Sequence, residues 1–171
     1  EITLRRVDCT SLTYIVTINM YTDTGSPIRF GDGELRYGDG SDPFITPTVN
    51  NSTLPGLPAE VGFVTFSIPH TFPGPGRYTI SYIEANRNEG VLNIANSVNT
   101  TFYIQTEIII DPFLGCSNTP VLLVPPIDKA CTGVAFFHNP GAFDPDGDSL
   151  SYEFVVPKMN KNSDVIAYLA P

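Results

Sequence analysis

Pro73-Gly74-Pro75-Gly76-Arg77-Tyr78-Thr79-Ile80-Ser81-Tyr82 is a turn that runs straight into a strand. Proline and glycine alternate through the turn. Tyr78, Ile80 and Tyr82 then fall on one face, with Thr79 and Ser81 on the other. The same two-residue period recurs along the chain. Tyr14, Val16, Ile18 and Met20 share a face with Thr17 and Asn19 between them, and Val64, Phe66 and Ile68 repeat the pattern. Val98, Phe102 and Ile104 are expected to do so too. Each run predicts a strand with one buried face. No stretch sustains a helical period; residues 88–96 are the one short helical candidate, weakened by Gly90.

Between the runs stand turn signals: Thr24-Gly25-Ser26-Pro27, Gly31-Asp32-Gly33, Gly38-Asp39-Gly40-Ser41 and a longer loop around residues 55–58. The predicted class is therefore all-β, built of tandem Ig-like β-sandwich modules. A first module is expected over residues 1–106 and a second over 107–171. The second contains the apolar runs 108–110, 121–124 and 134–137. It ends in a clean alternation of Leu150, Tyr152, Phe154 and Val156 against Ser151, Glu153 and Val155. At about 65 residues it falls short of the ~100 a sandwich usually takes. It is expected to be truncated or completed by other chain.

The 171 residues are 42% hydrophobic and 16% charged, enough to bury a core. Asp and Glu number 18 against 9 Lys and Arg, for a net charge of −9. That sign argues against nucleic acid and against anionic membrane surfaces. No apolar run approaches the ~18–20 residues that span a bilayer. The chain begins at Glu1 rather than Met and shows no leader peptide, which fits a mature piece of a longer protein. Cys9, Cys116 and Cys131 form no C-x-x-C pair. A Cys116–Cys131 bridge would close a loop of about 15 residues, worth roughly 3 kcal/mol; three free buried thiols are the alternative.

Three parts of the first module resemble the PKD family: Tyr37-Gly38-Asp39-Gly40-Ser41, then His70-Thr71-Phe72, then Pro75-Gly76-Arg77-Tyr78-Thr79-Ile80-Ser81. All occur in the family's order, with Tyr37 where Trp is usual. The resemblance implies an Ig-like sandwich of an extracellular, cell-surface protein or a spacer of a secreted hydrolase. The segment Ala142-Phe143-Asp144-Pro145-Asp146-Gly147-Asp148-Ser149-Leu150-Ser151-Tyr152 resembles cadherin-like or Ig-like modules of bacterial surface proteins. The longer string from Pro112 to Tyr152 is similar to gliding-motility-associated adhesins and type IX secretion cargo of Bacteroidota.

Asp144, Asp146 and Asp148 are the strongest chemical cluster. Carboxylates at alternate turn positions can converge on Ca²⁺, with Asp111 and Asn118 as candidate partners near the junction. The spacing is not that of an EF-hand, and the bland alternative is a turn that caps its own backbone. Asp39 and Asp32 in their Gly-Asp-Gly turns are expected to cap backbone, and His70 to make a structural hydrogen bond. With only His70 and His138 present, a multi-His zinc site within these residues is excluded, and a mixed-ligand one stays open. No catalytic motif of a hydrolase or phosphate loop occurs. Trp is absent, and most of the Tyr and Phe fall on core-facing positions, which weakens a sugar-binding platform. Asn51-Ser52-Thr53 and Asn99-Thr100-Thr101 match the Asn-glycosylation pattern, and Asp148-Ser149-Leu150 resembles an O-glycosylation motif.

The expected function is non-catalytic: a structural or adhesive module, stiffened by Ca²⁺, whose partners are neighbouring domains, surface glycans or other surface proteins. A carbohydrate-binding or accessory module of a secreted hydrolase and a subunit of a surface filament are the alternatives.

Overall fold

A computed structural model describes residues 1–27, 29–126, 133–135, 137, 139, 141–166 and 168–169. Among them, eleven strands follow in order: β1 (Ile2–Arg6), β2 (Thr13–Asp23), β3 (Glu34–Arg36), β4 (Phe44–Ile45), β5 (Val61–Thr71), β6 (Gly76–Glu84), β7 (Phe102–Ile110), β8 (Val121–Leu122), β9 (Ala142–Phe143), β10 (Lys158–Asn160) and β11 (Ser163–Asp164). Among the described residues the one helical element is a single 3₁₀ turn, Ser97–Asn99. It replaces both the helix expected over 88–96 and the strand expected at Val98.

Two antiparallel sheets hold the first 110 residues. One has the order β1-β2-β5 and the other β4-β3-β6-β7. β2 is paired along its whole length with β5, from Thr13 opposite Thr71 to Asp23 opposite Val61. β6 pairs as fully with β7. The two sheets meet across one core, as in a β-sandwich. Tyr14, Val16 and Ile18 enter it from β2, Leu4 from β1, Leu35 from β3, and Ile80 and Tyr82 from β6, all fully or almost fully buried. These are the faces that the period-2 alternation selects. Phe66, Ile68, Phe102 and Ile104 pack partly buried against them.

The long edge of β5 is guarded at both ends. Phe63 exchanges two backbone hydrogen bonds with Ser52, so its groups point away from β2. Pro69 has the same outward parity and offers no N–H, which suits proline to an edge.

β7 runs through the expected junction at residue 106. Ile108 and Ile110 are buried in the first core, so the sandwich extends to Ile110. Beyond it the described residues form two small two-stranded sheets, β8-β9 and β10-β11. Only Thr119 and Val165 are buried there. β10 lies against β7, and Arg87 donates to the Lys158 carbonyl (2.7 Å).

The alternation at 150–156 does not become a strand of a ladder. Phe154 is 102% exposed and Tyr152 61%. Alternation prepares a segment for a sheet but does not supply a neighbour, and no described strand pairs with it. Of the expected run 134–137, residue 136 lies outside the described residues, as do Cys131 and His138.

Candidate functional site

The predicted turn residues come together at one end of the sandwich. Gly38 and Gly40 carry φ of 80° and 87°, so the chain can reverse at Asp39. Gly38 also lies against β6: a Cβ there would stand 2.4 Å from the Thr79 carbonyl oxygen. Asp39 Oδ1 accepts hydrogen bonds from the Ser41 amide (3.0 Å) and hydroxyl (2.6 Å). Asp39 Oδ2 stands 2.7 Å from His70 Nε2, and both side chains are largely buried. The Tyr37 ring stacks flat on the imidazole at 3.6 Å, and Phe72 meets its edge. Tyr78 then packs on Phe72 at 4.5 Å and donates its hydroxyl proton to the Gly74 carbonyl. Turn, step and strand thus form one packed cluster.

Burial pushes the Asp39 carboxyl up. The hydrogen bonds from Ser41 and His70 outweigh burial and hold it below the ordinary value. Serine, aspartate and histidine occur here, but the carboxylate sits between the other two. The imidazole is bonded to Asp39 and not to the Ser41 hydroxyl. A nucleophile needs its base in direct contact, so this arrangement locks a turn and activates no nucleophile.

A second cluster clamps the chain beyond β7 onto the free edge of β1. Leu4 donates its amide proton to Thr119 Oγ1 (2.8 Å), and the Thr119 amide donates back to the Leu4 carbonyl (3.0 Å). The Arg6 amide donates to Asn118 Oδ1 (2.8 Å), and its guanidinium to the Gly115 carbonyl. The same guanidinium stands 5.7 Å above the ring of Tyr14. The Leu122 amide donates to Glu1 Oε1 (2.7 Å). Edge groups of β1 are thereby satisfied by side chains and loop backbone rather than by a fourth ladder.

A disulfide closes this clamp, and it corrects the expected pairing. Cys116 is bonded to Cys9, not to Cys131. Cys9 follows β1 and Cys116 follows β7. The contact of those strands brings their Cα atoms to 5.1 Å across 107 residues of sequence. Proximity in sequence favours Cys131, but the sheets decide the partner.

The acidic turn is joined to the clamp through Asn118. The Asn118 backbone amide donates to Asp146 Oδ2 (2.6 Å), and its side-chain amide to Asp146 Oδ1 (2.7 Å). Asp144 Oδ1 accepts the amides of Asp146 (2.8 Å) and Asp148 (3.3 Å), and Gly147 supplies φ 85°. Asp111 lies apart, capping the Phe113 amide at the end of β7. As arranged, Asp144 Oδ1 and both Asp146 carboxylate oxygens accept N–H groups, and Asn118 Oδ1 accepts the Arg6 amide. Among the described residues, no three acidic, His or Cys side chains converge on a space for a metal ion.

Arg6, Thr119 and Cys9 belong to this junction but carry no signal in the sequence. Their roles come from which loop lies on the β1 edge. The chain matches no protein-family model, no curated protein and no solved structure.

Proposed function

We propose that this chain is a non-catalytic structural module of an extracellular, cell-surface protein, a PKD-like, Ig-like sandwich that spaces and orients its neighbours. The clamp on β1 carries this reading. A disulfide and five hydrogen bonds fix the first residues beyond β7 to the opposite end of the sandwich chain. Such a joint sets the direction in which the next segment leaves, which is what a spacer requires and an isolated domain does not. The disulfide also suits an oxidising compartment. The meeting of the Tyr37 turn, the His70 step and the Tyr78 strand in one cluster supports the PKD-like assignment.

Small-angle scattering tests the joint. The Cys9→Ala/Cys116→Ala chain should show a larger radius of gyration than the oxidised protein, with the sandwich still folded by circular dichroism. Superimposable curves would remove the joint from the proposal.

A surface-filament subunit is the second reading. It is favoured by residues 150–156, where an alternating apolar segment lies exposed with no ladder partner among the described strands. Ordered polymers by electron microscopy would support it; monodisperse single particles would not.

A further inference from the structure

A cleft of about 550 Å³ opens at the end of the sandwich away from the Cys9–Cys116 bond. Its walls are the end of β2, the β2–β3 loop, the end of β6 and the β6–β7 loop. Loops at the end of a sandwich are where binding sites are commonly carried, and the volume is that of a small-molecule site. We propose that this cleft binds a neutral oligosaccharide.

Two charged anchors in it are held in place by groups outside it. Glu84 accepts the Gly31 amide on Oε1 (3.1 Å) and the Tyr82 hydroxyl on Oε2 (3.5 Å). Tyr82 is itself fixed by Thr46 at 3.1 Å. Arg87 donates through Nε to the Thr101 carbonyl (3.2 Å) and through Nη2 to the Lys158 carbonyl (2.7 Å). Its guanidinium lies 5.4 Å from the Phe102 ring centre. A rigid acceptor and a rigid donor therefore face the same space, and preorganised polar groups bind at lower entropic cost.

The lining selects the ligand class. Two guanidiniums, from Arg29 and Arg87, exclude a bare cation. Three carboxylates, on a chain of net charge −9, oppose an anion. A sugar hydroxyl both donates and accepts, so it can satisfy Glu84 and Arg87 side by side. Tyr21 lines the cleft and can offer apolar surface to the C–H face of a pyranose, while the Phe102 ring lies under the Arg87 guanidinium and helps to hold that donor. A peptide carries the same polar groups on its backbone but binds by adding to a strand edge. At the cleft Met20–Asp23 of β2 pair with β5 alone and Glu84 of β6 with β7 alone, so a peptide is the rival that the titration below separates from a sugar.

The test is a titration of the isotope-labelled full chain with cellohexaose, xylohexaose, mannohexaose and chitohexaose, followed by amide and Arg Nε resonances. At least one should give saturable shifts confined to residues 20–30 and 84–102, with Kd of about 1 mM or tighter. Arg29→Ala and Asn88→Ala, both at exposed positions, should each weaken it roughly tenfold or abolish it, with an unchanged melting temperature. The proposal is overturned if none of the four sugars saturates, if the shifts lie elsewhere, or if both variants bind as the parent does. It is equally overturned if a tetra-alanine peptide reproduces the shifts and the sugars do not. None of these outcomes touches the clamp on β1.

Discussion

Asp39 and His70, 31 residues apart, are joined by a 2.7 Å hydrogen bond beneath the stacked ring of Tyr37. The bond ties the turn after β3 to β5, so it crosses from one sheet to the other. It is the point at which the two halves of the sandwich are held together by polar rather than apolar contact.

Asp39→Asn and His70→Ala are each expected to destabilise the fold by about 2 kcal/mol, as for hydrogen bonds to a charged group. The double variant should cost less than the two together, because the partners share one interaction. Urea unfolding at neutral pH measures this. Since the folded pKa of Asp39 lies below its ordinary value of 3.8, its stabilisation is complete above that value. It is lost as pH falls through the lower folded value. Asp39→Asn should flatten that acid limb.

Glu84 should act in the opposite sense. Burial raises its carboxyl above the ordinary 4.5, against the hydrogen bonds from Gly31 and Tyr82. The folded state then holds a proton that the unfolded state has released. Stability therefore rises as pH drops through the folded value toward 4.5. Glu84→Gln should remove this rise while leaving the Asp39 limb. Thermal melts between about pH 7 and pH 4 would show it.

The Cys9–Cys116 bond closes a loop of 107 residues, for which chain entropy gives about 4.7 kcal/mol. Reduction should lower the melting temperature sharply. It should also accelerate amide exchange at Leu4, Arg6 and Thr119 before it does so at Val16 or Ile80 in the core. Thiol titration of the unreduced, denatured chain should find the third cysteine alone. Three free thiols would contradict the bond.

Asn118→Ala should cost about 1 kcal/mol by removing the side-chain bond to Asp146 Oδ1 and the acceptor of the Arg6 amide, while its backbone bond to Asp146 Oδ2 stays. Asp144 Oδ1 already accepts the amides of Asp146 and Asp148, so millimolar Ca²⁺ and EDTA should leave the melting temperature equal. A Ca²⁺-dependent rise that Asp144→Asn removes would show that the oxygens rearrange around a cation.

The sandwich was legible because burial on a strand has a period of two, and Tyr14 to Met20 or Tyr78 to Tyr82 display it directly. The Asp39–His70 cluster was legible as an order of motifs, though not as a stack with Tyr37. Asn118 was placed with the acidic turn from its position near the junction, and the structure joins it to Asp146 but leaves Asp111 apart. The disulfide was not legible, since Cys9 and Cys116 meet only once β1 and β7 are in contact. Nor could the sequence show that 150–156 has no ladder partner among the described residues, because alternation describes one strand and pairing needs two.

Pulling the chain by its two ends measures the clamp most directly. In the oxidised protein the residues between Cys9 and Cys116 cannot extend, so full unfolding should yield a contour shorter by about 350–390 Å than in reductant. A contour length that is the same with and without reductant would contradict a covalently clamped spacer.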